Sequence, residues 1–426
     1  MLTATERLQS AEQSEFVDPL RSDADWLQWS IEQLALVGAQ DDGSVCRRGF
    51  TKADCEGRQR VARWMEEAGL SIRVDAAGNL IGRWDGVEPG LPALVTGSHI
   101  DTVPTGGHFD GALGVLAGLD VVRTLKASGR RLRHPLEVIA FADEESTMVG
   151  CKGMAGTASF DPADYTTSNG EPIAVNLERI GGQWPSLASA RRDDASIAAF
   201  LELHVEQGSV LESRGDAIGV VDGVVGQRRF SIRITGQANH AGTTPMDLRQ
   251  DALVTAAEVV LAIETLAIRH PGDPVATVGR LQVWPNAANV VPGSVEMTVD
   301  LRDLSPQVLE ELVDGLMQNL ETIGERRQCS IAIEPQFEVA PTPADALVIE
   351  AVAASAAELG FSYSHLPSRA SHDAQELGRR WPMGMIFVPS RGGLSHSAKE
   401  FTSDDQCWAG AAVLLGTLLR LDRELP

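Results

Sequence analysis

The pattern of apolar and polar positions changes twice along the chain. In the first half, short continuous apolar runs alternate with segments whose apolar residues recur at helical spacing. The run at 92–103 indicates a buried strand leading into a polar loop, and Gly111–Leu125 has helical spacing. Further strands are predicted at Leu136–Ala142 and Phe200–Val205. Strands that alternate with helices favour an α/β fold with a largely parallel sheet.

The middle of the chain has a different pattern. Arg228–Thr235 alternates polar and apolar residues with period two, as a half-exposed antiparallel strand does. The periodicity then predicts a helix, two strands, a second helix and a final strand, at Asp251–Ile268, Val275–Val283, Val290–Leu301, Pro306–Ile323 and Cys329–Phe337. This order, strand–helix–strand–strand–helix–strand, is that of a ferredoxin-like unit.

The last part of the chain returns to the first pattern, with a helix at Ala344–Leu359, a strand at Met383–Val388 and a helix at Ser403–Leu421. We therefore predict one α/β domain, residues 1–225 and 338–426, that is interrupted by an inserted α+β domain at residues 226–337. A length of 426 residues suits two or three domains.

Composition excludes several classes of partner. The chain has 36 Lys and Arg against 59 Asp and Glu, a net charge of −23, which argues against nucleic acid because phosphate binding needs clustered basic residues. Five widely spaced cysteines without a C-x-x-C pair favour a reducing cytosol over a disulfide scaffold. The polar segment 1–16 lacks the apolar core of a signal peptide, and no apolar run is long enough to cross a bilayer. We expect a cytoplasmic protein without a membrane partner.

Candidate ligands lie where the predicted strands end. His99 and Asp101 follow the first strand, and residues i and i+2 of a strand face the same side, so their side chains can touch. A carboxylate against one imidazole nitrogen leaves the other nitrogen for a metal ion. Asp110 stands before the predicted helix, where an N-cap is as good an explanation as a metal ligand.

Adjacent carboxylates follow the next strand at Asp143-Glu144-Glu145. They point to different sides, so one can bind metal while another acts as a base; the alternative is a solvated acidic turn. His204 and His396 also lie at strand–loop junctions. As a set, His, Asp and Glu without Cys at the ends of one sheet suit Zn²⁺, Mn²⁺, Co²⁺ or Ni²⁺.

The motifs around these residues resemble those of the hydantoinase/carbamoylase amidases, within the superfamily of dinuclear-metal aminoacylases and zinc exopeptidases. That family includes N-carbamoyl-L-amino-acid hydrolases, β-ureidopropionases and allantoate amidohydrolases. The resemblance covers nearly the whole chain. The matching segments are GSHIDTVPTGGHFDGALGV (97–115), ADEES (142–146), ELHVEQG (202–208), GQANHAGTTPM (236–246), NVVPG (289–293), LRD (301–303), SHDA (371–374) and GGLSHSAKE (392–400).

The resemblance implies two divalent metal ions per subunit, with Zn²⁺ as the first expectation and Mn²⁺, Co²⁺ or Ni²⁺ as alternatives. It also implies that Glu144 is the general base and then the general acid, and that Asp101 orients His99. The expected ligands are His99 and His204 for one ion, Glu145 and His396 for the other, and Asp110 as the bridge between them.

The same resemblance implies that the inserted domain is a lid and a dimerisation surface, which predicts a homodimer. From this domain His240 would reach the reacting carbonyl, in the active site of the other subunit. Gln227, Asn289 and Arg302 resemble the residues that hold the substrate, with Arg302 taking its carboxylate. A guanidinium offers a bidentate fork for that group, and an exposed Arg at a strand end is the plain alternative.

These expectations define an amidohydrolase for linear amides (EC 3.5.1.-) that removes the carbamoyl (ureido) group from an N-carbamoyl-L-amino acid, with release of ammonia and carbon dioxide. The expected partner is thus a small ureido or amide substrate with a carboxylate. Divalent ions can lower the pKa of a bound water to about 7, and Glu144 can accept the released proton.

Two alternatives to this enzyme activity remain open from the sequence. An N-acyl-amino-acid amidase or a dipeptidase would use the same dinuclear site, and a noncatalytic binding protein of the same fold would be expected to lack a ligand or the base.

Relatives usually carry Gly where this chain has Arg369. A long cation there either fills part of the pocket or meets a second acidic group of the substrate, which leaves the substrate open.

Overall fold

Two units make up the structure, a computed structural model that describes residues 24–426. One unit ends at Gly223 and resumes at Ala344, and the other comprises Val224–Pro343. The amino-terminal segment on which the signal-peptide prediction depends lies outside the described residues. Within residues 24–426, no helix combines the length and the apolar character that crossing a bilayer requires.

Fifteen strands and eleven α-helices are numbered here in chain order. The strands are β1 (Ser71–Val74), β2 (Leu80–Trp84), β3 (Ala93–His99), β4 (Leu136–Phe141), β5 (Ile197–Val205), β6 (Ile218–Val224), β7 (Gly226–Thr235), β8 (Asn239–His240), β9 (Val275–Trp284), β10 (Val290–Val291), β11 (Ser294–Asp303), β12 (Ser330–Val339), β13 (Thr342–Pro343), β14 (Tyr363–Ser368) and β15 (Met383–Val388). The described α-helices are α1 (Ala24–Ala35), α2 (Lys52–Glu67), α3 (Ala112–Ala127), α4 (Val149–Ala155), α5 (Ile173–Arg179), α6 (Val210–Arg214), α7 (Ala252–Arg269), α8 (Pro306–Arg327), α9 (Ala346–Glu358), α10 (Asp373–Leu377) and α11 (Asp404–Glu424).

The first unit is built on a large mixed sheet with the strand order β1-β2-β4-β3-β5-β15-β6, and β14 also pairs with β6. At its centre, β4, β3, β5 and β15 run parallel to one another. The strands β1, β2 and β6 pair antiparallel towards the margins. This confirms the prediction of an α/β protein with a mostly parallel sheet.

The central strands are apolar because helices cover them. Every residue of β3 and β4 is buried, and the main core packs their side chains against α3 and α11. Helix α11 begins after Ser403, whose hydroxyl accepts the N–H of Gln406 while the Gln406 side chain accepts the N–H of Ser403. This capping box fixes the helix start at the position that the sequence predicts.

The second unit has its own core and its own sheet. Strands β12, β7, β11 and β9 form an antiparallel sheet in that order, and its buried side chains pack against α7 and α8. One predicted strand was wrong: Val290–Leu301 is divided into β10, which pairs with β8, and β11, which begins at Ser294. Pro292 lies between them, and a proline has no N–H to donate to a strand ladder.

Candidate metal centre

Four parallel strands bring their carboxyl ends to one edge of the large sheet, and the candidate ligands lie there. His99 is the last residue of β3, and His204 is the next to last residue of β5. Glu145 lies in the loop after β4, and His396 lies in the loop after β15. Ligands of open α/β sheets bind beyond the carboxyl ends of the strands, so this edge is the expected place for a site.

The first group of possible ligands is His99, Asp110 and His204, all of them buried. Nε2 of His204 lies 3.1 Å from Oδ1 of Asp110, and Nε2 of His99 lies 3.6 Å from the same oxygen. The Nδ1 atoms face main-chain carbonyl oxygens, that of Asp101 at 3.0 Å and that of Val205 at 2.8 Å. Because a carbonyl can only accept, each ring carries a proton on Nδ1, and Nε2 is the ring nitrogen that faces Asp110.

The second group is Asp110, Glu145 and His396. Nε2 of His396 lies 3.3 Å from Oδ2 of Asp110 and 3.6 Å from Oε1 of Glu145. Asp110 therefore presents one carboxylate oxygen to each group. The His396 side chain is 49% exposed, so the second group opens towards solvent while the first is enclosed.

The donor atoms of each group fit a divalent ion. They lie within 4.8 Å of one another, and imidazole nitrogens with carboxylate oxygens are the ligands that Zn²⁺ and related ions accept. Gly111 makes the close approach possible, because a Cβ at this position would lie 2.5 Å from the ring of His99. The structure thus brings together all five residues that the sequence singles out as ligands.

Asp101 contacts His99 in a different way from the one expected. Strand β3 ends at His99, so the two-residue alternation of a strand does not extend to Asp101. The main-chain carbonyl of Asp101 accepts from His99, whereas its nearest carboxylate oxygen is 3.8 Å from Nδ1. The carboxylate instead accepts the main-chain N–H groups of Glu144 at 3.3 Å and Glu145 at 3.2 Å. Asp101 thereby connects the loop after β4 to the end of β3.

Asp110 does not cap the helix that follows it. The N-cap of α3 is Gly111, with φ +63° and without a side-chain capping bond. The Asp110 carboxylate is instead surrounded by three imidazoles. Burial alone would raise the pKa of Asp110, but hydrogen bonds from His204, His396 and His99 hold it well below its usual range.

Three residues that the sequence reasoning missed hold Asp110 in place. Gln207 Nε2 and Ser395 Oγ each donate to Oδ2 of Asp110 over 2.8 Å. Glu400 accepts the main-chain N–H of Asp110 at 3.0 Å, and Ser395 Oγ also lies 2.9 Å from Oε2 of Glu400. All three belong to motifs quoted above, but only their proximity to a ligand in sequence hinted at a role.

Glu144 lies at the border of the first group. Its Oε2 is 3.6 Å from Nε2 of His99, and the residue is 8% exposed. Burial raises the pKa of Glu144 well above its usual range; the opposing charge of His99 is outweighed, and the carboxylates of Asp373 and Glu145 add to the increase. The pKa of Glu145 is raised to about 7, again mainly by burial. Both carboxyl groups therefore hold a proton more readily than ordinary carboxyls do.

A third set of possible ligands, Glu202 with His204 and His372, lies behind the first group. Its carboxylate is already engaged, because Glu202 accepts Ser98 Oγ at 2.7 Å and the main-chain N–H of Ala374 at 2.8 Å. The ring of His372 packs edge-on against that of His204, with centroids 4.5 Å apart. This packing supports the ligand ring from behind. Arg369 is partly buried and directly follows β14.

The four residues expected to hold the substrate all lie in the second unit. Gln227 on β7 and Arg302 on β11 are paired residues of neighbouring strands. Both contact Asp300: Arg302 Nε donates to Oδ1 over 2.7 Å, and Gln227 Nε2 donates to Oδ2. The residues His240 and Asn289 are also neighbours, because the main-chain N–H of Ala241 donates to the carbonyl of Asn289.

The tautomer of His240 follows from its surroundings. Its Nδ1 accepts the main-chain N–H groups of Gly242 at 3.1 Å and Thr243 at 3.2 Å. A nitrogen that accepts these bonds carries a lone pair, so the neutral ring has its proton on Nε2. His240 therefore presents an exposed hydrogen-bond donor.

Comparison with known proteins places this geometry in a family. The model of peptidase family M20/M25/M40 matches residues 95–420. The chain is 40% identical to the N-carbamoyl-L-amino acid amidohydrolase of Geobacillus stearothermophilus, over 92% of this chain and 97% of the relative. It is 36% identical to the allantoate amidohydrolase of Bacillus subtilis strain 168, over 92% and 96%.

Among solved structures, a hydantoinase/carbamoylase family amidase from Burkholderia multivorans is similar to this chain with a TM-score of 0.89 and 36% identity. The similarity covers 95% of this chain and 99% of that one. The fold and the sequence therefore match the same group of enzymes over almost their full lengths.

Proposed function

The chain belongs to peptidase family M20/M25/M40 and, within it, to the hydantoinase/carbamoylase amidases, and from this premise we propose that it hydrolyses the carbamoyl group of an N-carbamoyl-L-amino acid or a related ureido acid. Its class of reaction is hydrolysis of carbon–nitrogen bonds in linear amides. The observation that carries the proposal is the pair of ligand groups that share Asp110 beside the buried carboxylate of Glu144.

Two divalent ions fit the site, one in each group of donors. Zn²⁺ suits this donor set, and Mn²⁺, Co²⁺ and Ni²⁺ are the alternatives. When bound, such ions supply Lewis-acid activation of water and of the scissile carbonyl. The ligands in our proposal are His99, Asp110 and His204 for one ion and Asp110, Glu145 and His396 for the other.

Glu144 is the general base in this proposal. A base acts most efficiently when its pKa lies near the working pH, and burial shifts the pKa of Glu144 upward from the range of ordinary carboxyls. Its carboxylate accepts a proton from the attacking water and delivers it to the departing nitrogen. Asp101 supports this geometry by accepting the main-chain N–H groups of Glu144 and Glu145.

The substrate carboxylate is assigned to Arg302, and the developing oxyanion to His240. The Nε2–H of His240 is a fixed donor because Gly242 and Thr243 occupy Nδ1. One such donor is worth roughly 3 kcal/mol of transition-state stabilisation in other acyl-transfer enzymes. Gln227 and Asn289 complete the proposed substrate contacts.

The second unit is proposed as the lid and as the dimerisation surface of a homodimer. Its element order and its strand order β12-β7-β11-β9 are those of a ferredoxin-like unit. Exposed apolar side chains on α7 and an exposed edge strand β9 support an interface between subunits. Sedimentation of the purified protein at micromolar concentration checks this, and a monomer would contradict it.

A substrate panel tests the proposed activity. Protein stripped with a chelator and reloaded separately with Zn²⁺, Mn²⁺, Co²⁺ or Ni²⁺ is offered N-carbamoyl, N-formyl and N-acyl amino acids and allantoate. We expect ammonia release from an N-carbamoyl amino acid, no turnover after stripping, and recovery with at least one of the ions.

The panel also separates the alternatives. Release of carboxylate from N-acyl amino acids without ammonia release from ureido substrates would indicate an amidase of the aminoacylase type instead. Turnover of allantoate alone would keep the ureido chemistry and change the substrate. Undiminished turnover in the stripped protein would refute the metal mechanism.

A further inference from the structure

The first unit has a cavity whose lining begins at Ser146, the residue after Glu145, and every residue of this lining carries a polar group on its side chain. It has a volume of about 340 Å³, within the range of small-molecule pockets of roughly 300–1,000 Å³. Lys152 and Asp164 supply one positive and one negative charge. The other lining residues carry hydroxyl groups and are Ser146, Thr147, Thr157, Ser159, Tyr165 and Thr166.

Three of the six hydroxyl groups donate their protons to partners within the wall of the cavity. Ser146 Oγ donates to the carbonyl of Thr166 over 3.1 Å, and Tyr165 donates to the carbonyl of Ser159 over 2.8 Å. Ser159 Oγ donates to Oδ2 of Asp164 over 2.5 Å. These hydroxyls therefore offer lone pairs to a ligand, and this side of the cavity suits a group that donates hydrogen bonds.

Near Lys152, by contrast, a ligand has to accept hydrogen bonds. Its ammonium group donates to the carbonyl of Thr147 over 3.2 Å, which uses one of three protons. A ligand for this cavity needs an acceptor for the remaining ammonium protons and a donor for the hydroxyl and Asp164 side. An inorganic anion satisfies only the first requirement, and in a chain with a net charge of −23 the surrounding field opposes it. A zwitterion satisfies both without net charge.

We propose that this cavity binds a free α-amino acid, with its carboxylate on Lys152 and its ammonium group on Asp164 and the surrounding hydroxyls. The ligand class is derived from the cavity alone; that the same compound is the product of the reaction rests on the proposed function. Ser146 and Thr147 directly follow Glu145, so the bound amino acid contacts the segment that carries a proposed metal ligand.

Calorimetric titration of the full-length protein with glycine, acetate and methylamine tests the site. The last two probes carry only one of the two charged groups. To exclude binding at the proposed substrate site, the titration is repeated with Arg302→Met. We expect glycine to bind equally to the parent protein and to Arg302→Met, and more tightly than either acetate or methylamine.

Variants of the cavity complete the test. Lys152→Met should weaken glycine binding roughly 10- to 100-fold, as the loss of a charge-assisted hydrogen bond does, and the exposed Lys52→Met is the matched control without effect. Asp164→Asn should weaken glycine and spare acetate. Glycine binding that disappears in Arg302→Met, persists in Lys152→Met or is absent from the parent protein would overturn the proposal, whatever the substrate panel shows.

Discussion

The carboxylate of Glu400 accepts a hydrogen bond from the main-chain N–H of Asp110 over 3.0 Å. The same oxygen accepts the N–H of Phe109 at 2.9 Å, and the other oxygen lies 2.9 Å from Ser395 Oγ, which is itself 2.8 Å from the Asp110 carboxylate. Glu400 therefore fixes both the main chain and the side-chain environment of the residue shared by the two ligand groups.

Replacement of Glu400 by glutamine should weaken metal binding without removing a ligand. The glutamine side chain keeps an oxygen that can accept the N–H groups of Phe109 and Asp110. Its NH₂ group, a donor, then faces Ser395 in place of the second carboxylate oxygen, an acceptor. Loss of such outer contacts typically costs about 10- to 100-fold in metal affinity, and we expect a decrease of this size. Titration of Zn²⁺ against a competing chelator measures it.

Glu206 provides the matched control for this experiment. It too is a buried carboxylate that accepts two main-chain N–H groups, those of Val210 at 2.7 Å and Leu211 at 2.9 Å, but these belong to α6. Glu206→Gln should leave the affinity for Zn²⁺ unchanged. An equal loss in both variants would mean that Glu400 acts through general stability and not through Asp110.

Glu144→Gln should separate chemistry from metal binding. The amide preserves the size of the side chain and cannot accept a proton, so kcat should fall by roughly 100- to 10,000-fold while both ions remain bound. Glu145→Gln, in the adjacent position, should lose the ion of the second group. Metal content by atomic emission and turnover of the best substrate distinguish the two. Unchanged turnover in Glu144→Gln would remove it as the base.

Arg302→Met should act on substrate binding more than on the chemical step. A carboxylate that loses its guanidinium partner is held about 10- to 100-fold less tightly, so KM should rise by that factor with little change in kcat. Arg229→Met is the control, because Arg229 Nη2 also donates to Asp300, over 3.0 Å. If both variants raise KM alike, the effect comes from Asp300 and the sheet, and Arg302 does not hold the substrate.

The sequence predicted that the candidate ligands of the sheet lie together because the signals for this are local. His99, Glu145, His204 and His396 each come after an apolar run that had to be a buried strand, and parallel strands bring their carboxyl ends to one edge without any knowledge of loop conformation. His204 and His396 could therefore be grouped with His99 although they are far apart in the chain. The order of elements in the second unit was readable for the same reason, since period-two and helical patterns differ clearly there.

The residues that hold the candidate ligands in place could not be predicted from the sequence in this way. Glu400 and Asp110 are 290 positions apart, and their hydrogen bond depends on how two loops meet after folding. Asp101 contacts His99 as the sequence predicts, but the nearer group is its main-chain carbonyl, because β3 ends at His99 and the end of a strand is the least certain part of a periodicity argument. Pro292, by contrast, was a visible signal that a strand should end.

Buried ionisable groups at the site predict how the metal-free protein responds to pH. Burial raises the pKa of Asp143, with the Asp101 carboxylate adding to it, to about 8, and that of Glu145 to about 7, whereas both titrate near 4 when unfolded. Between the pKa of the unfolded chain and the pKa of the folded protein, the folded state binds more protons than the unfolded state. The free energy of unfolding therefore falls as the pH rises through this range. The carboxylates around His99 and His204 outweigh burial and raise the pKa of both rings; their contribution is complete below about 6.5 and is lost as the pH rises further.

All four groups therefore act in the same direction between pH 5.5 and 8.5, and the metal-free protein should lose roughly 5 °C of Tm across this range. Scanning calorimetry of metal-free and Zn²⁺-loaded protein measures the difference; the loaded protein should show a smaller decrease, because ions bind the deprotonated ligands. Asp143→Asn, which changes no proposed ligand, should reduce the decrease in the metal-free protein. A Tm that rises with pH in the metal-free protein would contradict the protonation states on which this prediction depends.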